Sequence, residues 1–434
     1  MKTNRTPAFL LHLGVWLILI TLLWLLLVSA SALPNESIRA NMEKSALSYA
    51  DKDAFSFENG KKINSISDNY ADTILLNVAW NMGEGNPLTS SLDTKYYDGE
   101  EFGESYGLYL AVTEGKAPNT DYTRYWHGSA VFVRLLHLVT DVNGVKIIGF
   151  SVSLLLLALT LFLLCSKKHY DIAVLICISL CVVQIWNVRL SMEYQPAFII
   201  AFLLCILCLL LERKSDTYVT LLCVAGGTLV CFFDFLTAET LTLLLPLMLV
   251  IAVRAKEKRL STFRESVIIL AKCGTAWLAS YAGAFIAKWT AATVATGENA
   301  FAKALSFAGE RVGGEVSGTQ EMPNTFFSSV TANLGAMLGT QRRLDYPATF
   351  LTLAIIILLL VSVWYLFRTA DGEKTAAKLL LLLGSLVLVR FLVLNNHSFI
   401  HCFFTYRALA PTVFACLAAL WFNIGFVKRK RGKK

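Results

Sequence analysis

Two aspartates in the stretch Asn64-Ser-Ile-Ser-Asp-Asn-Tyr-Ala-Asp-Thr-Ile-Leu-Leu-Asn-Val-Ala-Trp-Asn-Met82 have a spacing suited to acid–base chemistry. Asp68 and Asp72 are four apart, so on a helix both project from one face. Carboxylates that close raise the pKa of at least one of them unless a cation lies between. The pair therefore suits a general base, or a site for a divalent cation such as Mg or Mn. A solvated acidic face has the same pattern. Ile66, Tyr70, Ile74, Val78 and Met82 recur at helical spacing, which predicts an amphipathic helix lying on a bilayer surface and carrying the pair.

Other polar groups fall where long apolar runs begin or end. Tyr122-Thr-Arg-Tyr-Trp-His127 sets aromatic rings beside Arg and His, and Trp126 and His127 suit a sugar by stacking and hydrogen bonding; an ordinary interfacial belt reads the same way. A second interfacial helix is expected over 126–140, with Val131, Leu135, Leu138 and Val139 as its apolar side. Glu193 lies in Met192-Glu-Tyr-Gln195, Asp234 and Glu239 flank a short turn, and Asn395-Asn-His-Ser-Phe-Ile-His401 with Tyr406-Arg407 leads into the last apolar run. Charges at the edge of hydrocarbon are costly, which makes each a functional candidate. Arg390 lies about one turn inside its run. With Arg407, His397 and His401 it could clamp a phosphate at headgroup level, or it could snorkel to the interface.

The elements that must position these groups are membrane helices. In 434 residues, 56% are hydrophobic and only 16% charged, far from the balance of a soluble globular chain. The net charge of +8 does not point to nucleic acid. Its lysines and arginines sit in short clusters beside apolar runs, at Lys167-Lys168, Arg213-Lys214, 254–259 and 428–434, where the positive-inside rule reads them as cytoplasmic. Threading the chain on that rule gives ten spans at about 9–28, 145–165, 172–188, 197–211, 218–233, 237–253, 267–288, 347–367, 377–394 and 408–427. The first is expected to be an uncleaved anchor. Although Ala30-Ser31-Ala32 resembles a cleavage site, the run before it is too long for a signal peptide. Both termini then face the cytoplasm of a cell membrane. Only 234–237 separates the fifth and sixth spans, so one long broken helix is the alternative.

The expected fold class is an all-α polytopic membrane bundle forming one integral domain, with interfacial helices in a long first outer loop at 34–141. That loop carries nearly two acidic residues for each basic one. A second outer loop at 289–346, rich in Gly, Ser, Thr and Asn, reads as a lid over one outer cavity, roofed by 301–333 and floored by span ends with Asp234 and His397. Nearly all ten cysteines lie within apolar runs, so neither a disulfide framework nor a cysteine metal site is implied. No internal repeat is visible, and the runs around 154–164 and 379–388 are almost wholly apolar. Both features weigh against the competing class, a transporter or flippase for a lipid-linked envelope precursor.

A cytoplasmic N-terminus, one span, a long outer loop with the acidic motif Ser67-Asp-Asn-Tyr-Ala-Asp72, then many closely connected spans, resembles the GT-C superfamily of membrane glycosyltransferases. The resemblance implies transfer of a sugar from a polyprenyl-phosphate donor to a glycan or other envelope acceptor at the outer face. It further implies that Asp68 or Asp72 is the catalytic acidic residue, and that Arg390 and Arg407 face the lipid phosphate. The acidic pair lies farther from the first span than in that family, and Asp51 and Asp53 are rival acids in an Asp-x-Asp spacing.

Overall fold

The computed structural model describes residues 8–99, 103–312, 327–342 and 374–431, with isolated positions between 347 and 357. Its helices, in chain order, are α1 (Ala8–Ser31), α2 (Arg39–Tyr49), α3 (Asn69–Asn81), α4 (Pro87–Ser90), α5 (Gly103–Thr113), α6 (Ser129–Leu136), α7 (Val142–Ser166), α8 (Tyr170–Val182), α9 (Pro196–Leu211), α10 (Asp216–Phe233), α11 (Leu241–Lys256), α12 (Phe263–Thr296), α13 (Ala300–Val312), α14 (Ser328–Leu338), α15 (Lys374–Val393), α16 (Asn395–Ile400), α17 (Cys402–Thr405) and α18 (Ala410–Arg431). Two antiparallel strand pairs join them: β1 (Phe55–Phe57) with β2 (Ile66–Asp68), and β3 (Lys95–Tyr96) with β4 (Thr120–Asp121).

Among the described residues, seven helices are long and apolar enough to cross a membrane. They match the expected first, second, fourth, fifth, seventh, ninth and tenth spans, which makes the chain a multi-pass, predominantly helical membrane protein. The expected third span is shorter. α8 has 13 residues, and Gln184 in the left-handed region (φ 53°) turns the chain into a 3-10 segment, Ile185–Leu190. The fifth and sixth are separate elements, because Asp234 is extended and Leu236 has φ 63°, a break that no continuous helix accommodates. α11 has 16 residues and is buried along almost its whole length. The expected eighth span, 347–367, lies outside the described residues.

The bundle has two polar ends. At one, buried Glu212 accepts from Arg254 (3.1 Å) and Arg259 (2.7 Å), and Arg213 reaches Glu257 at 2.5 Å. These are the basic clusters of the topology reading, so they hold the bundle together as well as marking a side. At the other end lie Asp72, Glu193, Asp234, Asn333 and His397.

The first outer loop corrects one expectation. α3 lies inside the protein instead of on a bilayer surface: Asp72 through Trp80 are all buried, because Ile74, Leu75, Val78 and Ala79 pack into the core between α2, α5 and α6. α6 follows the expectation more closely. Leu135, Leu138 and Val139 are exposed together with Phe132, which leaves an apolar face outward, while Val131 turns inward. Arg134 is fully buried and clasps this layer to the first span. It donates to Ala30 O (2.8 Å), Asn35 Oδ1 (2.9 Å), Ala79 O (2.5 Å) and Leu33 O, thereby satisfying carbonyls orphaned at the end of α1.

Close packing in the bundle depends on small residues, as expected where lipid is as apolar as the helices themselves. α10 meets α12 at Gly227, where an added Cβ would lie 2.2 Å from Trp277 O and 2.4 Å from Ser280 Oγ. Gly227→Ala must push these helices apart. It is expected to destabilise the protein by about 1–3 kcal/mol, the usual range for overpacking, seen as a lower thermal midpoint of tryptophan fluorescence in detergent. An unchanged midpoint would mean that the contact yields without strain.

Candidate active site

Asp68 closes β2, opposite Phe55, and is the N-cap of α3, its Oδ1 accepting from Ala71 N at 2.9 Å. It is thus not a surface carboxylate one turn before Asp72. It is 3% exposed. Burial pushes its pKa up to about 7; Ala71 N–H and Lys146 oppose the rise, and the Asp72 charge adds to it.

Asp72 is differently placed. Fully buried, it accepts on Oδ1 from Ser191 Oγ (2.7 Å) and Met192 N (2.8 Å), and on Oδ2 from Tyr49 Oη (2.9 Å), with Lys146 Nζ at 2.6 Å. Four donors occupy both oxygens. A shared cation between Asp68 and Asp72 therefore does not fit, and among the described residues no group of three or more His, Cys, Asp and Glu could hold a metal ion. Asp72 instead clamps the turn Met192–Tyr194 to α3, and that turn carries Glu193. Tyr194 Oη adds a bond to Ile66 O (3.2 Å), beside Asp68.

Glu193 faces the negative charges of Asp68, Asp72 and Asp234. Asp234, the C-cap of α10, accepts on Oδ2 from Thr237 N (2.9 Å) and on Oδ1 from the Thr237 hydroxyl. Burial pushes its pKa up to about 7, with Glu239 adding to the rise and Thr237 and Arg390 opposing it. Carboxyls from the first outer loop, the turn before α9 and the turn after α10 thus converge. Asp51 and Asp53 do not join them, since both are exposed to solvent.

Aromatic rings surround the acids. Tyr122 lies within electrostatic reach of Glu193 and Tyr70. Phe235 packs against Tyr125 (5.3 Å) and His127 (5.0 Å), and Tyr70 stacks on Phe55 (6.2 Å). His397 and His401 are 4.7 Å apart, and His397 Nε2 lies 2.9 Å from Leu236 O, one turn of chain from Asp234. The sequence-predicted Trp126 is not available to a sugar: it is 2% exposed and its Nε1 donates to Ala284 O (2.8 Å). His127 is buried against Tyr122 O (3.0 Å), and burial pushes its pKa down to about 3, so it brings a ring and no charge.

Of the two predicted phosphate ligands, Arg390 is occupied elsewhere. Arg390 forms a forked pair with Glu239 (2.9 and 3.2 Å) and also donates to Ser398 Oγ (2.9 Å) and Leu236 O (2.7 Å). That pair fixes the turn bearing Asp234 and Phe235. Arg407 is 1% exposed, lying 4.4 Å over the Tyr194 ring; its Nη2 reaches Asn187 O at 3.4 Å, and its Nε and Nη1 have no hydrogen-bond partner. The cation that sequence reasoning did not single out is Arg124. It sits 4.1 Å from the rings of both Tyr122 and Phe307, its Nε has no hydrogen-bond partner, and no carboxylate pairs with it among the described residues. Its place between two tyrosines in Tyr122-Thr-Arg-Tyr125 was the available signal.

Of the second outer loop, α13 and α14 pack on the first. Lys303 on α13 pairs with Asp121 (2.7 Å), Phe307 covers Arg124, and Asn64 Nδ2 donates to Ala336 O on α14 (2.9 Å). Asn333 joins α14 to α16, donating to Ser398 O at 2.7 Å. Compared with known proteins, the chain matches no family model, no curated protein and no solved structure.

Proposed function

We propose that this protein is a membrane glycosyltransferase that moves a sugar from a polyprenyl-phosphate donor to a glycan or other envelope acceptor, at the face of a cell membrane opposite the cytoplasmic termini. The observation that carries the reading is the convergence of Asp68, Glu193 and Asp234 from three separate elements among Tyr70, Tyr122, Tyr125 and Phe235. Hydroxyl-rich rings are bound by carboxylates that accept their O–H groups and by aromatic faces that cover their C–H surfaces.

In this reading Asp68 is the base. The acceptor oxygen attacks the anomeric carbon, its proton passes to Asp68, and the bond from that carbon to the phosphate oxygen breaks. The leaving group is already a phosphate and needs no general acid. Glu193 and Asp234 hold sugar hydroxyls, and most of the acceleration comes from positioning and charge stabilisation. Arg124 is the cation assigned to the departing phosphate, because Arg390 is paired with Glu239 and Arg407 is buried against the Tyr194 and Tyr406 rings.

The test is transfer of radiolabelled sugar from synthetic polyprenyl-phosphate donors by the purified chain in proteoliposomes. Absence of transfer with every donor sugar tried would remove the reading and leave the transporter class. Where transfer is seen, Arg124→Gln should lower kcat/KM by about tenfold to a hundredfold, the loss of one charge-assisted phosphate contact worth roughly 1.5–3 kcal/mol. Folding should be retained, since no carboxylate is left unpaired. Parental kcat/KM in this variant would return the phosphate to another group.

A further inference from the structure

One cavity is remote from the acid cluster. It is a groove of about 980 Å³ between α1, α10 and α12, at the end of the bundle that carries Arg213, Arg254 and Arg259. We infer that this groove binds one anionic phospholipid of the leaflet at that end, with the headgroup at Lys272 and the acyl chains running up to a stop formed by Trp16 and Gly283.

The walls are apolar along most of their length, including Leu13, Val224, Ile268 and Ala279. The charged lining groups lie toward one end. Asp216 is answered within the protein by Arg254 at 2.7 Å, and His12 Nε2 meets Thr220 Oγ1 at 3.0 Å. Lys272 is exposed on its helix, and no carboxylate pairs with it among the described residues. A surplus cation at the mouth of an apolar groove is complementary to a negative headgroup. Gly227, eleven residues past Asp216 on α10, meets Trp277 and Ser280 on α12, so Lys272 lies between that crossing and the basic rim, a depth from which a lysine reaches headgroups by snorkelling.

The far end is closed where Trp16 Nε1 donates to Ser280 O (3.2 Å) and the Trp16 ring crowds Gly283, whose added Cβ would come within 3.1 Å of it. Lys272 and Gly283 are eleven residues apart on α12, about 16 Å at roughly 1.5 Å per residue. That stretch of the groove lies alongside an acyl chain entering from the rim.

The test uses the full chain in detergent, titrated with dioleoyl phosphatidylglycerol or dioleoyl phosphatidylcholine and followed by native mass spectrometry. The parent should retain one phosphatidylglycerol about fivefold more tightly than phosphatidylcholine, the size of one basic residue's contribution at an anionic headgroup. Lys272→Gln, an exposed change that leaves the core intact, should abolish that preference and leave phosphatidylcholine binding as it was. Ala279→Trp, filling the exposed middle of the groove, should remove the retained lipid altogether. No preference in the parent, or the full preference in Lys272→Gln, would overturn the inference, as would an undiminished bound lipid in Ala279→Trp. Should Ala279→Trp not yield folded protein, the Lys272→Gln comparison decides alone.

Discussion

Asp68→Asn is expected to lower sugar transfer by about a hundredfold to ten-thousandfold, the usual contribution of a general base, while the protein inserts and folds as before. The position makes this a clean substitution. Asp68 caps α3 through one oxygen, which accepts from Ala71 N, and Asn caps a helix as well as Asp does. What the change removes is basicity. If Asp68→Asn transfers sugar at the parental rate, Asp68 is not the base, and Glu193 and Asp234 take its place as candidates.

The pH profile distinguishes among them. With Asp68 held at about 7 by burial, the base is ionised only above neutral pH, so kcat/KM should fall about tenfold per unit below about pH 7. Asp234 titrates in the same range. Asp234→Asn should therefore weaken substrate binding and keep the acid limb, whereas Asp68→Asn should flatten whatever activity remains. Stability moves in the opposite direction to activity. A carboxyl raised from an ordinary 3.8 to about 7 favours the folded state in its protonated form, so its contribution is fully present below about pH 4 and is lost as pH rises through 7. The thermal midpoint should decline over that interval, and the decline should be shallower in Asp68→Asn, with Asp234 supplying the remainder. A midpoint that rises between pH 4 and 7 in parent and variant alike would show that these carboxyls are not held protonated by burial.

The bundle was legible in the sequence because bilayer thickness imposes a length on each apolar run, and basic clusters mark its ends. The exceptions have local causes. α8 stops at Val182 where Gln184 takes a left-handed conformation, and α11 is short because protein surrounds it instead of lipid. For the site, Glu193, Asp234 and His397 were visible as polar residues bordering apolar runs, and Asp68 by its four-residue spacing from Asp72, signals that need no tertiary information. Their internal roles were not visible, because a periodic pattern says which face is apolar and not what lies over it. The stripe of Ile74 and Val78 that reads as a membrane-facing side packs on other parts of the same outer layer. Arg390 and Asp72 looked free because their partners, Glu239 and Lys146, are 151 and 74 residues away in sequence.

Asp72→Asn should fail by a different route from Asp68→Asn, through loss of folded protein. The carboxylate is surrounded by Lys146, Tyr49, Ser191 and Met192 N, all acting as donors. An amide offers them one acceptor oxygen and turns an N–H group toward the rest, and Lys146, whose side chain is only 15% exposed, loses its counter-charge. Removing one partner of a buried pair costs about 3–5 kcal/mol, a large part of the stability of a typical domain. The expected result is a marked drop in monodisperse material on fluorescence-detected chromatography, with a thermal midpoint several degrees lower. Lys146→Met should destabilise for the same reason. The double variant, Asp72→Asn with Lys146→Met, should be less destabilised than the two single losses added together, because it contains no isolated charge; coupling between contacting residues typically amounts to about 0.5–3 kcal/mol. The position of Glu193 depends on this clamp, so any folded Asp72→Asn that survives should bind donor weakly and show the raised KM of a misplaced carboxylate. Parental stability combined with complete loss of turnover would reverse the assignment and make Asp72 the base.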